Sequence, residues 1–257
     1  MIITLLTDFG DADGFVGAMR GRLLTVAPEA RLVDLAHHVP RGDVAKAAQV
    51  LRRSAPYFPP GCVHLIVVDP GVGSSRRVLV ALHKGHTFVA PDNGVLGPTL
   101  DALGEPAQAR IWSVTDPALT PWPVSHTFHG RDIFAPVAGA IAAGHPVEAV
   151  GVQIDDPVRL PSPEQHIEGG WRRGAVVEID AFGNAITDLA GQASVEIRLA
   201  DGTRLSGPHR AYAEVERGAP VIIVSSNDTV EIAVREGDAA ARFDLRPGAP
   251  VWMKEIS

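Results

Sequence analysis

The chain has 257 residues, of which 46% are hydrophobic, so it can bury enough apolar surface for one large domain or two smaller ones. Its formal net charge of −7, with basic residues scattered singly or in pairs, argues against a nucleic-acid partner or an anionic membrane surface. Because the one cysteine excludes an internal disulfide and no apolar stretch approaches the ~20 residues of a membrane span, we expect a cytoplasmic protein.

Short apolar runs alternate with helical patterns through residues 1–155. The runs predict strands over residues 2–7, 32–35, 63–68, 78–82, 87–90 and 109–114. The apolar spacing predicts helices over residues 15–26, 44–55 and 131–143. Such alternation is typical of α/β proteins, so we expect a Rossmann-like α/β domain with a mainly parallel sheet over residues 1–155.

The composition changes after Asp155. Residues 156–170 are rich in proline, glycine and acidic side chains, which is typical of a linker. Beyond them the pattern predicts short strands over residues 171–180, 194–199, 220–224, 230–234 and 250–253, with little helix. We therefore expect a compact β domain over residues 171–257.

Two aspartates directly follow predicted strands. Asp8 lies in the sequence Thr-Asp-Phe-Gly of residues 7–10, and Asp69 begins the sequence Asp-Pro-Gly-Val-Gly of residues 69–73. Because ligands of open α/β sheets bind beyond the carboxyl ends of the strands, both are candidate site residues. Asp-Pro-Gly also forms turns without any function, so this alternative stays open. The glycines match neither a dinucleotide fingerprint nor a phosphate loop.

A third candidate segment precedes the predicted helix 131–143. Residues 127–132, Thr-Phe-His-Gly-Arg-Asp, place His129 and Asp132 in one short turn. His129 can be an ordinary loop residue, and Asp132 can serve the first turn of the helix. His126, His129 and Asp132 are spaced by three, but they lack the tight His-x-x-x-His spacing of a zinc site. We therefore predict no metal site.

Taken together, these segments resemble one family. They are Thr7-Asp8-Phe9-Gly10 with Asp13, Asp69-Pro70-Gly71-Val72-Gly73 with Arg76, Pro91-Asp92-Asn93-Gly94, Phe128-His129-Gly130-Arg131-Asp132, Asp180 with Phe182-Gly183-Asn184, and Val230-Glu231-Ile232-Ala233. In order and nearly end to end, the set resembles the SAM hydroxide adenosyltransferases (S-adenosylmethionine hydrolases), relatives of the fluorinating and chlorinating enzymes. The resemblance implies an α/β domain, a small β-barrel and a homotrimer with active sites between subunits.

The resemblance also implies which residues bind S-adenosylmethionine. Asp8 matches an aspartate that holds both ribose hydroxyls, a bidentate role that suits a carboxylate. Asp13 and Asp180 match positions near the methionine ammonium, and Phe128 matches a residue at the reacting centre. The expected partner is thus a small-molecule substrate.

Two further binding residues are implied in the second half of the chain. Asn184 matches an asparagine that contacts the adenine, and Ser226 matches a serine that binds the methionine carboxylate. The family usually has Asn-Ser-x-Gly where residues 225–228 here are Ser-Ser-Asn-Asp, a sequence that can also form a tight turn.

Asp69, Arg76 and His129 match the family's water-holding triad. The resemblance implies that water attacks the ribose C5′ and that neutral methionine leaves, without a metal or another cofactor. Asp69 is the expected proton acceptor, Arg76 fixes its carboxylate, and His129 orients the water or the carboxylate. Because Arg76 stabilises the ionised carboxylate, we expect proton transfer to be late or concerted with attack. A halide ion would be repelled by Asp69, which argues against halogenation.

Two other classes of function stay open. A metal-dependent hydrolase would contain a bound ion and lose its activity with a chelator. A non-catalytic sensor would bind S-adenosylmethionine or adenosine tightly without turnover.

Overall fold

The computed structural model describes residues 1–161, 166–226 and 228–256, and the chain divides into two compact units, Met1–Leu160 and Pro161–Ser257. The division falls inside the segment 156–170 that the composition predicts as a linker, of which residues 162–165 lie outside the described part. In the described ranges, no helix is long and apolar enough to cross a membrane.

The first unit contains one seven-stranded sheet with helices packed against it. Its strands are β1 (Ile2–Thr7), β2 (Arg31–Ala36), β3 (Val63–Val67), β4 (Val78–His83), β5 (His86–Pro91), β6 (Arg110–Val114) and β7 (Gly151–Ile154). Its α-helices are α1 (Phe15–Val26), α2 (Val44–Ser54), α3 (Gly97–Ala102) and α4 (Ala135–Ala142), and a π-helical turn over Gly130–Phe134 precedes α4. Single 3₁₀ turns cover Ala55–Tyr57, Pro106–Gln108, Pro117–Leu119 and Val147–Ala149.

The strand order is β2-β1-β3-β5-β4-β6-β7. Strands β2, β1, β3 and β5 pair in parallel, whereas β4, β6 and β7 join by antiparallel pairs, so that only β4 and β7 run against the other strands. The predicted α/β class with a mainly parallel sheet is therefore confirmed. The short strand β7 is not apparent in the sequence, since much of its surface is exposed and no continuous apolar run marks it.

Strand β3 is buried along its whole length because apolar clusters cover both faces of the sheet. On one face Leu65 packs with residues of α1 and α4, and on the other Ile66 packs with residues of α2 and α3. In the register of β1 with β3, Thr7 lies opposite Val67. Both strands therefore end at one edge of the sheet, and the segments that follow them leave side by side.

The second unit is a curled antiparallel sheet of eight strands. Its strands are β8 (Ile167–Glu168), β9 (Trp171–Ile179), β10 (Ala185–Ala190), β11 (Val195–Arg198), β12 (Arg204–Gly207), β13 (Pro220–Val224), β14 (Thr229–Val234) and β15 (Pro250–Glu255). A 3₁₀ turn (Tyr212–Glu214) and helix α5 (Ala239–Phe243) complete it. The order is β12-β11-β15-β9-β10-β14-β13, and β8 pairs with β9.

The two ends of this sheet come close together. Just after β12, the His209 amide donates to the Ile222 carbonyl of β13 at 2.7 Å. Gly207 approaches so closely that an added Cβ would lie 2.7 Å from the Ile222 Cβ. The sheet is thus nearly closed, which confirms the expected small β-barrel.

A buried histidine in β3 is part of the first unit's core. His64 Nδ1 lies 2.8 Å from Thr4 Oγ1, and its Nε2 lies 3.1 Å from His86 Nδ1. Its ring stacks on Phe88 with a centroid distance of 4.9 Å. Burial, with a smaller effect of His86, lowers the pKa of His64 to about 3, so that the folded protein holds this imidazole neutral.

We predict that His64 makes the fold sensitive to acid. In the unfolded chain a histidine has a pKa of about 6.5, so stabilisation by neutral His64 is complete above that pH and is lost as the pH falls toward 3. The expected loss is at most about 1.4 kcal/mol per pH unit from this one group. Urea unfolding at a series of pH values should show a smaller acid slope in His64→Gln than in the parent. Equal slopes between pH 6 and pH 4 would show that His64 does not contribute.

Candidate active site

The candidate site lies where β1 and β3 end. Asp8 follows β1, and Asp69 follows β3 after Val68. Asp8 is half-buried, and its Oδ2 accepts a hydrogen bond from the Gly42 amide at 2.7 Å. This bond uses one lone pair of the carboxylate and leaves the others available to a ligand.

Asp69 and Arg76 form a close ion pair across the loop between β3 and β4. Arg76 Nε donates to Asp69 Oδ1 at 3.1 Å and Oδ2 at 2.9 Å, and Arg76 Nη2 donates to Oδ2 at 2.5 Å. The Gly71 amide is 3.2 Å from Oδ1. The side chains are only 5% and 11% exposed, respectively, so the pair is little screened by water. The carboxylate is thereby fixed in orientation.

The same guanidinium reaches His129, 53 residues further along the chain. Arg76 Nη2 lies 2.8 Å from His129 Nδ1. Because an arginine can only donate, Nδ1 is the acceptor and the proton of the neutral ring is on Nε2. Burial lowers the pKa of His129, and the positive charge of Arg76 lowers it further, against weaker opposing effects of Asp69 and Asp132. His129 is therefore neutral near pH 7, with an N–H to donate.

The backbone around His129 differs from the sequence prediction. A regular helix was expected over residues 131–143, but its first turn is a π-helix over Gly130–Phe134, in which the Ala135 amide bonds to the Gly130 carbonyl. Gly130 fits closely, since an added Cβ would lie 3.1–3.3 Å from side chains of Met19, Phe9 and Val67. Such π turns are rare and are frequently found at functional sites.

Asp132 is a buried residue of this turn that binds the segment before it. Its Oδ2 accepts the Ser125 amide at 2.9 Å while Arg131 Nε donates to Oδ1 at 2.6 Å. The bond from Arg131 is the main cause that holds the pKa of Asp132 below its ordinary value. Asp132 thus fixes the segment that leads into Phe128 and His129.

A cavity of about 700 Å³ opens beside these groups, a size suited to a small-molecule ligand. Of the residues predicted for the site, it is lined by Asp8, Asp13, Asp69, Phe128 and His129. Arg76 does not line it, because this side chain lies behind the two lining groups that it holds.

One wall of the cavity is aromatic. Phe9, Phe15 and Phe128 contact one another, with ring centroids 5.2–6.0 Å apart. The guanidinium of Arg131 lies 4.9 Å from the centre of the Phe128 ring. The faces of such rings attract cations.

The structure places the other predicted residues in the second unit. Asp180 Oδ1 accepts the amides of Phe182 at 2.8 Å and Asn184 at 2.9 Å, and Asn184 Nδ2 donates to Asp180 Oδ2 at 3.0 Å. These two residues therefore form one tight turn after β9. Ser226 is exposed between β13 and β14, and the next residue, Asn227, lies outside the described residues.

Sequence analysis missed several residues of the cavity. Arg41 and Gly42 line it, and they lie beyond the carboxyl end of β2, the strand beside β1. Asp8 was selected by the strand-end rule, that is, ligands of open α/β sheets bind beyond the carboxyl ends of the strands. The same rule, applied to every parallel strand, would have selected Arg41 and Gly42 as well. Thr127 also lines the cavity, next to Phe128.

A buried carboxylate in the second unit was not assigned a role either. Glu231 in β14 is 6% exposed, and Tyr212 Oη donates to its Oε1 at 2.5 Å. Burial raises the pKa of Glu231 above its ordinary value, with nearby Asp180 adding to the shift. An acidic residue inside an apolar strand is a visible signal of such a group.

Comparisons with known proteins show which proteins this chain is similar to. The family model described as SAM hydroxide adenosyltransferase N-terminal domain matches residues 3–151, and the C-terminal domain model matches residues 174–252. An (R)-S-adenosyl-L-methionine hydrolase from Thermus thermophilus is 40% identical over 256 residues, covering 97% of this chain and 98% of that protein. A fluorinase from Nocardia brasiliensis is 26% identical over 294 residues and covers 98% of this chain and 96% of its own.

A solved structure shows the same fold. The crystal structure of an uncharacterized conserved protein from Thermotoga maritima has a TM-score of 0.89 and 32% identity, covering 99% of this chain and 100% of that one. The resemblance drawn from the sequence is therefore confirmed along both halves of the chain. The chain belongs to the SAM hydroxide adenosyltransferase family.

Proposed function

We propose that this protein hydrolyses (R)-S-adenosyl-L-methionine to adenosine and L-methionine. The observation that carries the proposal is the single guanidinium of Arg76, which holds both Asp69 and His129 at the edge of the cavity. The names of the relatives support the substrate, since proteins 35–40% identical to this chain are called (R)-S-adenosyl-L-methionine hydrolases.

The reaction needs a positioned nucleophile more than a strong base. Water attacks the ribose C5′, the C5′–S bond breaks, and its electron pair goes to the sulfonium sulfur, which leaves as neutral methionine. In this proposal His129 Nε2–H donates to the water oxygen, and Asp69 receives the proton that the water loses. Because Arg76 already donates to both oxygens of Asp69, the proton moves late, when the attacking oxygen has become acidic.

Binding uses the remaining groups of the cavity. Asp8 accepts the ribose hydroxyls with the lone pairs that the Gly42 amide does not use. The aromatic wall of Phe9, Phe15 and Phe128 faces a substrate that carries a positive sulfonium, which ring faces attract. Asp13 on the first unit, and Asp180, Asn184 and Ser226 on the second, keep the binding roles that the resemblance implies.

We further propose that the reaction uses neither a metal nor another cofactor. Both oxygens of Asp69 already accept hydrogen bonds from Arg76, and this guanidinium would repel a second cation at that carboxylate. His129 presents Nδ1 to the same guanidinium, so the unprotonated nitrogen of this tautomer is occupied as well.

The expected homotrimer is also a proposal. Val33 on the edge strand β2 and Leu24 of α1 are exposed apolar side chains, of the kind that subunit contacts cover. Light scattering of the purified protein should give three times the mass of one 27.1-kDa chain. The expectation that the active sites lie between subunits stays a prediction.

The activity is tested by product analysis. With (R)-S-adenosyl-L-methionine, chromatography should show equal amounts of adenosine and methionine, and a racemised substrate should stop near half consumption. Asp69→Asn should lower kcat by about 10²–10⁴-fold with KM nearly unchanged, because the amide cannot take the proton.

The matched control is Glu148→Gln, which removes an exposed carboxylate that also pairs with an arginine, Arg110. It should keep the parent's rate. Tight binding of substrate without products would instead indicate a sensor, and loss of activity with a chelator would indicate a metal-dependent hydrolase. An unchanged kcat in Asp69→Asn would remove Asp69 from the mechanism.

A second experiment tests the ribose contact. Asp8→Ala should weaken adenosine binding by about 10–100-fold, because a charged acceptor for two hydroxyls is lost. Isothermal calorimetry with adenosine measures this without any turnover. Asp11→Ala, which removes an exposed carboxylate three residues away, should bind adenosine like the parent. Equal affinities for all three proteins would mean that Asp8 does not hold the ribose.

A further inference from the structure

The turn Pro91-Asp92-Asn93-Gly94 belongs to the family pattern but does not line the cavity. It follows β5, which pairs in parallel with β3 and therefore ends at the same edge of the sheet. Asp92 is buried, as is Val68, the residue directly before Asp69. A buried polar turn next to the reacting groups needs a physical reason.

Asn93 holds one end of the loop that carries the ion pair. Its Nδ2 donates to the Val68 carbonyl at 2.9 Å, one residue before Asp69. Its Oδ1 lies 3.3 Å from the Val95 amide, which closes the turn itself. The oxygen of the Asn93 side chain thus closes its own turn, whereas the nitrogen binds the loop that contains Asp69.

Asp92 holds the other end. Its Oδ2 accepts from Arg77 Nε at 2.6 Å, and its backbone amide donates to the Arg77 carbonyl at 3.0 Å. Arg77 also donates to Asp156 Oδ1 at 2.6 Å and to the Asp156 carbonyl at 2.7 Å. Arg77 directly follows Arg76, so these bonds fix the backbone from which Arg76 extends.

The side chain of Arg77 is held by two aspartates, Asp92 and Asp156. Hydrogen bonds from Arg77 to Asp156 and Asp92 raise the pKa of this guanidinium. The same Asp92 accepts the Val158 amide at 2.8 Å through Oδ1. One carboxylate therefore ties the end of the loop to residues 156–158 of the same unit.

We propose that Asn93 and Asp92 are positioning residues, which fix the two ends of loop 68–77 so that Asp69 and Arg76 meet in one bidentate geometry. The inference rests on the proposed function for its kinetic consequence only. Positions in an active site must be held within about 0.5 Å, and outer partners of reacting groups typically contribute about 10–100-fold.

The kinetic test compares two replacements of Asn93. Asn93→Ala removes both hydrogen bonds, and Asn93→Asp keeps an acceptor for Val95 but cannot donate to the Val68 carbonyl. Both should lower kcat by about 10–100-fold, while KM and the Kd for adenosine change less than about threefold. The matched control is His83→Leu, which removes another bond from a buried side chain to a carbonyl, that of Gly104 at 2.8 Å. It should lower Tm and leave kcat as in the parent.

A replacement of the partly exposed Arg77 tests the proposal even if the Asn93 variants do not fold. Arg77 is 30% exposed at its side chain, so Arg77→Ala releases the far end of the loop without opening the core. It should lower kcat in the same way as Asn93→Ala. Asp156→Ala should have a smaller effect, because Arg77 still donates to Asp92. Folded Asn93 and Arg77 variants with the parent's kcat would overturn the proposal.

An NMR titration gives a readout that needs no turnover. Since the charge of Arg76 helps to lower the pKa of His129, displacement of Arg76 should raise the pKa of His129 toward its ordinary value. We expect this rise in Asn93→Ala and Arg77→Ala and not in His83→Leu, with the His129 signal assigned from His129→Gln. If the parent fails to hydrolyse the substrate, the proposed function fails while this titration still decides the positioning. An unmoved His129 pKa in both loop variants contradicts the positioning.

Discussion

The guanidinium of Arg76 is shared between a carboxylate and an imidazole, and the rest of the site depends on this sharing. Its Nη2 lies 2.5 Å from Asp69 Oδ2 and 2.8 Å from His129 Nδ1, with little exposure to water. Taking charges out of water costs several kcal/mol per ion, which only good geometry offsets. The contact also fixes the tautomer of His129, because Nδ1 must accept. The orientation of the Asp69 carboxylate and the position of the His129 N–H thus follow from one cation.

The Asp69–Arg76 ion pair sets the charge that this cavity presents, whatever fold the chain shares with other proteins. The fluorinase from Nocardia brasiliensis is similar to this chain over nearly its whole length, at 26% identity. Here a carboxylate that is paired with a guanidinium lies at the cavity, and in the proposed function it is the group that accepts a proton from water. A shared fold can thus serve different chemistry when a few side chains of the site differ.

Much of the fold could be predicted because its signals are local. The apolar run of β3 predicts a strand covered on both faces, and the strand-end rule then selects Asp8 and Asp69. The bond between Arg76 and His129 joins residues 53 positions apart, and no spacing in the sequence shows it. The π turn at Gly130 depends on tertiary contacts with Met19 and Phe9, so the helical pattern alone predicts a regular turn there. The roles of the site residues came from resemblance and stay predictions.

The topology of the sheet accounts for the ion pair arising from a single loop. In an all-parallel sheet, the chain leaving β3 would cross over and begin its next strand at the opposite edge. Strand β4 instead runs antiparallel to β5, with Val78 opposite Pro91, so it begins at the edge where β3 ends. The chain therefore leaves the sheet just before Asp69 and re-enters it just after Arg76 at the same edge. The two side chains are thus within hydrogen-bonding distance of each other. Because β5 lies between these strands, the turn that follows it lies between the two ends of the loop and forms hydrogen bonds with both.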